Sequence, residues 1–482
     1  MNTRRTPGPY GGRRDGSVTP LDLASSAATR DGMLTSDEAT RRRLVDRFDR
    51  APMRVTRRLL EELEGWSLHT DSGRIRHESG RFFSIGGVAV EMPGADVPFW
   101  TQPIIHQPET GVLGILVKRF AGVVHLLMQA KTEPGNRGGF QLSPTVQATR
   151  SNFTGVHRGR AVPYVDRFLN AAPERVISDV RQSEQGTWFV RKRNRNMVVE
   201  ATDEVKVLDG FVWLTLGQVY RLLAEDNLVN MDARTVLACL LPSGPDPGVL
   251  LGDGHGHGFR GALVRSGLPG SRPLHGTDEI LGWISRVRSM TEVSVTPVPL
   301  GDVRGWRWEG GRISHERGRH FDVIGVRVQA RGREVVGWDQ PMIAARGVGT
   351  AAFVVARIRG LLHVLVRTRV EPGYADVAEL GPTVQCGSVW SGRPEPPFFR
   401  EVLGAPADRI RFDTVLSEEG GRFFHTRNRY MIVEATPGEV SEAPGFRWVT
   451  LHQLSELVRH SHYLNVEART LMACLYSLAA RP

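Results

Sequence analysis

Residues Gln129 to Asn152 read QAKTEPGNRGGFQLSPTVQATRSN, directly after an apolar run, Val123 to Met128, with the character of a buried strand. From Gln141 the residue types alternate. Leu142, Pro144, Val146 and Ala148 fall on one face; Gln141, Ser143, Thr145, Gln147 and Thr149 fall on the other. A period of two predicts a strand with one apolar and one polar face. The polar face carries amides and hydroxyls rather than Lys and Glu, so it donates and accepts hydrogen bonds without adding charge. That composition suits a pocket wall reading a polyhydroxylated ligand; it also suits an ordinary exposed sheet face.

The stretch occurs twice. Lys131-Thr-Glu133-Pro-Gly returns as Arg369-Val-Glu371-Pro-Gly, and Pro144-Thr-Val-Gln147 returns as Pro382-Thr-Val-Gln385, both at a spacing of 238 residues. Outward from these motifs the correspondence continues. Gly65-Trp66 matches Gly305-Trp306, Gln102-Pro103 matches Gln340-Pro341, His125 matches His363, Arg193-Asn-Arg195 matches Arg427-Asn-Arg429, and Ala238-Cys-Leu240 matches Ala473-Cys-Leu475. So long a period predicts a duplicated domain, not a solenoid. Each unit reads as about six strands with three or four helices, an α/β or α+β sandwich. The expected boundaries are a disordered Gly/Pro/Arg-rich tail over 1–34, a first unit over 35–241, a linker over 242–275 and a second unit over 276–482.

Composition narrows the function. The chain has 482 residues, 40% hydrophobic and 24% charged, with net charge +10 and three cysteines. Two or more cores are expected at this length. No apolar run approaches a membrane span, and the start of the chain has no apolar signal core, so a cytoplasmic protein is expected. The excess Arg is spread through both halves with no Lys/Arg run interleaved with aromatics. This argues against nucleic acid and for a small phosphorylated ligand. Cys239 and Cys474 occupy matching apolar helical segments and read as buried thiols. His255-Gly-His257 lies in a glycine run without a third ligand and reads as linker, so no metal site is expected.

Gln102-Pro-Ile-Ile105, Gln129-Ala-Lys-Thr-Glu-Pro-Gly-Asn136, Gln141-Leu-Ser-Pro-Thr-Val-Gln-Ala-Thr149 and Arg427-Asn-Arg-Tyr-Met-Ile-Val-Glu434 together resemble the sugar-nucleotide 2,3-dehydratases of deoxysugar biosynthesis, over about residues 60–240 and 280–480. The resemblance implies two tandem Nudix-like domains, a homodimer and no metal or redox cofactor. It implies a dTDP-linked 4-keto-6-deoxyglucose as substrate and a 3,4-diketo product passed to a separate 3-ketoreductase. The glutamate-rich Nudix helix is missing; Tyr164-Val-Asp-Arg-Phe168 stands where it would lie. A nucleotide-sugar binding protein without chemistry, or a Nudix-type hydrolase, are the rival readings.

Dehydration needs a base at carbon 3, donors for the enolate oxygen and an acid for the leaving hydroxyl. Glu133 is the candidate base or acid, with Lys131 beside it; the alternative is a structural ion pair between them, which Arg369 and Glu371 repeat. Gln141, Ser143, Thr145, Gln147 and Thr149 are candidate readers of the sugar. Arg150-Ser151-Asn152 and Arg193-Asn194-Arg195 are candidate phosphate ligands, and Trp66 or Trp306 a platform for the base. Arg369 and Gln385 are the counterparts of Lys131 and Gln147. Gln141 becomes Glu379, Ser143 becomes Gly381 and Asn136 becomes Tyr374, so the first copy is expected to hold the reacting site and the second to be degenerate.

Overall fold

In the computed structural model of the chain the described residues are 18–29, 32–50, 52–153, 161–240, 258–330, 336–387, 395–436, 438 and 440–480. The fold is α+β. Each half contributes a seven-stranded sheet and most of a five-stranded one. In the first half, Gly111–Phe120 and Val123–Lys131 form the central hairpin. Ala121 and Gly122 connect them with φ of 46° and 83°, the turn geometry that matches strand twist. Arg193–Glu200 lies parallel to Gly111–Phe120, while Val176–Ser183 and Phe211–Thr215 take the edges antiparallel. The second half repeats this order with Val348–Ile358, Leu361–Val370, Arg427–Ala435, Ile410–Ser417 and Phe446–Thr450.

The five-stranded sheets interlock the halves. Met53–Arg58, from the first half, pairs with Phe321–Ala330 of the second; Ser294–Val298, from the second, pairs with Ser84–Glu91 of the first. One core runs through both units, joining Leu113, Ile115 and Leu126 to Phe353, Val364 and Tyr430. Helices Met231–Cys239 and Val466–Ala479 cross at its centre. Each starts on an asparagine that caps it: Asn230 accepts from Ala233 N (2.8 Å) and Asn465 from Ala468 N (2.9 Å).

At the centre two arginines tie the units. Arg234, fully buried, donates to Val229 O and, across the units, to Ser417 O, both at 2.6 Å. Arg469 is its mirror, bonding Leu464 O at 2.5 Å and, across the units, Ser183 O.

Two expectations are corrected. Part of the tail is built into the core: Pro20–Ala28 is a helix with a Thr19/Asp22 capping box, and Val18, Leu23 and Ala24 are buried. Part of the linker is likewise structured, since Phe259–Ser266 is a helix burying Ala262 and Leu263 against the core. In both, apolar residues at helical spacing outweigh a Gly/Pro/Arg-rich setting. Residues 1–17 and the His255-Gly-His257 motif lie outside the described residues. Gly86 and Gly87 lie in the middle of the strand Ser84–Glu91; a Cβ at Gly87 would sit 2.4 Å from Val303 Cγ2, so the close approach of the second unit requires glycine.

Candidate active site

The alternating stretch breaks at Pro144 into Gln141–Ser143, paired with Val123–Lys131, and Val146–Ala148, paired with Gly111–Phe120. Thr145 sits in the fork where those two long strands diverge. Its hydroxyl donates to Leu127 O and accepts from Leu116 N at 2.8 Å. Ser143 Oγ bonds Gln129 O and Pro144 O, both at 3.3 Å, and Gln141 donates to Asn227 O (2.6 Å) and to Ser417 Oγ. The polar row is therefore mostly internal: Gln141, Ser143 and Thr145 are buried and stitch strands or units together rather than reading a ligand. Uncharged hydrogen-bonding residues serve a buried junction as well as a pocket, and the pattern alone does not separate the two.

Thr149 and Gln147 are the members of the row that line open space, and Gln147 is the one that meets Glu133. Its Nε2 donates to Glu133 Oε1 at 2.8 Å, and its Oε1 accepts from Asn230 Nδ2 at 3.1 Å. Lys131 Nζ lies 3.6 Å from Glu133 Oε1 and 3.3 Å from Gln147 O. Glu133 is only 7% exposed. The three line a cavity of about 460 Å³. Trp66, Thr149, Ser151 and Asn194 also line it, so seven of the expected residues converge there. Trp66 presents its ring beside His77 (5.4 Å) and Phe83 (4.8 Å), with Nε1 spent on Asp339 O at 2.7 Å.

Other expected residues lie elsewhere. Arg195 is paired with Asp179 (Nε to Oδ1 2.7 Å) and Arg193 contacts His462 Nε2 at 3.2 Å. Both are on the strand face opposite the cavity, because strand residues alternate. Arg150 is exposed at the start of the short helix Arg150–Phe153, outside the cavity lining, and Asn152 is placed only by its backbone in that helix. Trp306 packs against Phe321 in the second unit and donates to Thr101 O at 3.2 Å. Arg369 and Gln385 belong to the second copy described below.

The same alternation, taken on its other phase, keeps the expected Asn194 in the site and adds Lys192, which the sequence reading does not include. Lys192 and Asn194 are on the buried face of Arg193–Glu200 and its lead-in, and both line the cavity. A lysine on the buried phase of a strand was the available signal. Lys192 Nζ donates to Glu109 O, and the Glu109 carboxylate accepts from Ser151 Oγ at 2.8 Å. Asp232, in the first turn of the capped helix, adds a further carboxyl. Trp338, Asp339, Gln340, Glu419, Gly421 and Arg422 arrive from the second unit, through contacts no local pattern signals.

Six carboxylates (Glu109, Glu133, Glu184, Asp232, Asp339, Glu419) thus surround three cations (Lys131, Lys192, Arg422). Burial, then the neighbouring Glu133, Glu184 and Glu419, pushes the Asp232 carboxyl well above its usual range. Burial and Glu133 push Glu419 up to about 7. Burial draws Lys192 down to about 8, against the pull of Glu184. Groups poised near neutrality in one cleft are what proton transfer requires.

The second copy is filled. Tyr374, standing where the first copy has Asn136, is buried at 7% exposure and hydrogen-bonded by Asn465 Nδ2 at 3.3 Å. Its ring rests on Gly186, where an added Cβ would lie 2.5 Å from Cδ1. Arg369 bonds Glu371 (3.2 Å), and Gln385 accepts from Asn465 (2.8 Å). Burial and Glu371 push Glu467, the counterpart of Asp232, up to about 8. A carboxyl whose folded pKa is raised binds its proton more tightly in the folded state, so its contribution is present at low pH and lost as pH rises from about 4.5 through about 8. Glu467→Gln is therefore expected to be more stable than the parent at pH 8, by a few kcal/mol at about 1.4 kcal/mol per pKa unit. Near pH 4.5 the two should coincide. Denaturant melts at the two pH values check this; a gap of equal size at both would refute it.

Comparison with known proteins places the chain. The family model described as NDP-hexose 2,3-dehydratase matches residues 38–240 and 277–475. The chain belongs to this family. It is 44% identical over 469 residues to a dTDP-4-dehydro-6-deoxy-alpha-D-glucopyranose 2,3-dehydratase of Amycolatopsis orientalis, covering 95% of this chain and 94% of that one. Enzymes of the same name from Streptomyces violaceoruber and Saccharopolyspora spinosa are 49% and 47% identical, covering 88% and 91% of this chain and 94% and 90% of theirs. A crystal structure of an ADP compounds hydrolase shares 16% identity over 27% of this chain and 69% of its own, with a TM-score of 0.17, too slight an overlap to bear on the fold.

Proposed function

We propose that the protein is a hydro-lyase that removes water across carbons 2 and 3 of a dTDP-linked 4-keto-6-deoxyhexose. The observation that carries this reading is a buried carboxylate, Glu133, held by Gln147 and Lys131 on a cavity, in a chain matched to the dehydratase family over both halves. The 4-keto group makes the proton on carbon 3 acidic. Glu133 takes that proton, and the electron pair moves into an enolate at the carbon 4 oxygen. The enolate collapses to expel the carbon 2 hydroxyl, which takes a proton from Lys192 and leaves as water. The resulting enol relaxes to the 3,4-diketone as carbon 2 gains a proton and the carbon 3 hydroxyl loses one.

Lys131 Nζ, 3.6 Å from Glu133 Oε1, and Gln147 Nε2, 2.8 Å from it, hold the carboxylate in place on the cavity. Lys192, drawn down to about 8, is protonated at neutral pH and a better donor than an ordinary lysine. Turnover is therefore expected to fall as pH rises through about 8, and Lys192→Met is expected to lose that alkaline limb together with about 10²–10⁴-fold in kcat. A full pH–rate profile of both proteins checks it; an unchanged alkaline limb in the variant would dismiss Lys192 as the acid.

The function itself is tested by incubating the purified protein with dTDP-4-keto-6-deoxyglucose and following loss of one water by mass spectrometry. Release of a nucleoside monophosphate, or binding without change, would overturn it. A reactive diketone product calls for an enzyme that reduces carbon 3 soon after release, so a 3-ketoreductase is the expected functional partner. A homodimer in the cytoplasm completes the reading. No described helix is long and apolar enough to cross a membrane.

A further inference from the structure

The internal repeat supplies its own control for the residues that close the cavity. Glu419-Gly-Gly-Arg422-Phe423 of the second unit corresponds to Gln185-Gly-Thr-Trp188-Phe189 of the first. The two loops dock symmetrically: Gly135 N donates to Gly420 O and Gly373 N to Gly186 O, each at 2.7 Å. Phe423 and Phe189 meet at 5.4 Å between ring centroids. The fold therefore accepts a tryptophan at the position of Arg422. Where the loop faces the first unit's cavity it carries a guanidinium; where it faces the filled second site it carries Trp188.

Arg422 is partly exposed to the cavity. Its Nε donates to Gln107 Oε1 at 3.2 Å and Nη1 to Gly421 O at 2.9 Å. Its planar group lies over the Phe83 ring, 4.1 Å from the centroid. These contacts fix its orientation and leave Nη2 without a hydrogen bond among the described residues, while Glu419, Glu133 and Glu109 act on the guanidinium at longer range. The adjoining backbone passes close to Glu133: a Cβ at Gly420 would lie 2.8 Å from Glu133 Cβ, and one at Gly421 3.7 Å from Glu133 Oε1. An oriented cation with an open donor thus stands beside the proposed base. A diphosphate is a poor occupant for this spot, since its charge would lie among Glu109, Glu133, Glu184 and Glu419.

We propose that Arg422, supplied by the second unit, holds the oxygen of the substrate's 4-keto group and stabilises the enolate formed when carbon 3 gives its proton to Glu133. This rests on the dehydratase reading above. In the step the C3–H bond breaks, its electron pair forms the C3=C4 bond, and the carbonyl pair moves onto the oxygen facing Nη2. No redox partner is needed. The second unit is then part of the reacting site, whatever its own pocket has lost.

The test uses two substrates. dTDP-4-keto-6-deoxyglucose reports full dehydration. Its 2-deoxy analogue has no hydroxyl to expel, so exchange of its carbon 3 hydrogen in D2O reports enolate formation alone. Arg422→Gln is expected to lose about 10²–10³-fold in both, the range for removing one oxyanion donor, while dTDP affinity stays within about twofold. Exchange as fast as in the parent would overturn the proposal, as would lost dTDP affinity, which would move Arg422 to the nucleotide. Arg422→Lys guards against a folding failure: it keeps the charge but not the planar fork, and a roughly tenfold loss in both rates is expected, with parity overturning the proposal. If the parent neither dehydrates nor exchanges, the fault lies with the dehydratase reading rather than with Arg422.

Discussion

Glu133→Gln is expected to reduce kcat for dehydration by about 10²–10⁴-fold, the contribution of a positioned base, with dTDP affinity little changed. The amide is the same size and can still meet Gln147, which donates to Glu133 Oε1 at 2.8 Å in the parent, so the cavity should persist. What is lost is the lone pair that takes the proton. The ion pair with Lys131, 3.6 Å long, is lost too. If that pair were only structural, the variant would be less stable but would turn over normally. Steady-state kinetics beside a denaturant melt separate the two: normal kcat with a lowered midpoint would remove Glu133 from the chemistry. The sugar requires few charges of its own here, since a ketone next to the reacting carbon does most of the activation.

Arg234→Ala is expected to be the most damaging change to stability, at about 3–5 kcal/mol. The guanidinium is fully buried, bonds Val229 O and Ser417 O, and lies 5.7 Å from the centre of the Tyr430 ring. Truncation leaves two buried carbonyls without these donors and a cavity between the units. Because Ser417 belongs to the second unit and Arg234 to the first, the loss falls on their association. Arg469→Ala should behave alike through Ser183 O. Urea melts of each single variant and the double variant test this. The two arginines share the same centre, with Arg469 donating to Thr235 Oγ1 (2.7 Å) and Arg234 to Thr470 Oγ1 (3.4 Å), so a non-additive double variant is expected. A loss below about 1 kcal/mol in either single variant would show that the units do not depend on this joint.

How much of the site was legible can be traced residue by residue. Lys131 and Glu133 are two apart at a strand end, so they share a side whatever the fold, and both line the cavity. Gln147 is a short hairpin away and meets them. Thr145 was legible as polar but not as buried, because its two partners, Leu116 N and Leu127 O, lie on strands whose divergence no local pattern records. Arg193 and Arg195 match phosphate by residue type alone, since a guanidinium fork suits its oxygens. Their strand phase turns them away and brings Lys192 and Asn194 inward.

The sequence by itself determined the duplication, the α+β class, the family and the near side of the cavity. Those follow from period, repeat spacing and side-chain alternation, which are properties of neighbours along the chain. Only the tertiary structure decided that Met53–Arg58 and Ser294–Val298 change places between the sheets, that Tyr374 fills one pocket, and that Arg422 and Glu419 close the other. These depend on contacts between residues hundreds of positions apart. Such contacts form because two apolar faces must be buried together, and no one-dimensional pattern states which distant loop that burial will bring to rest beside Glu133.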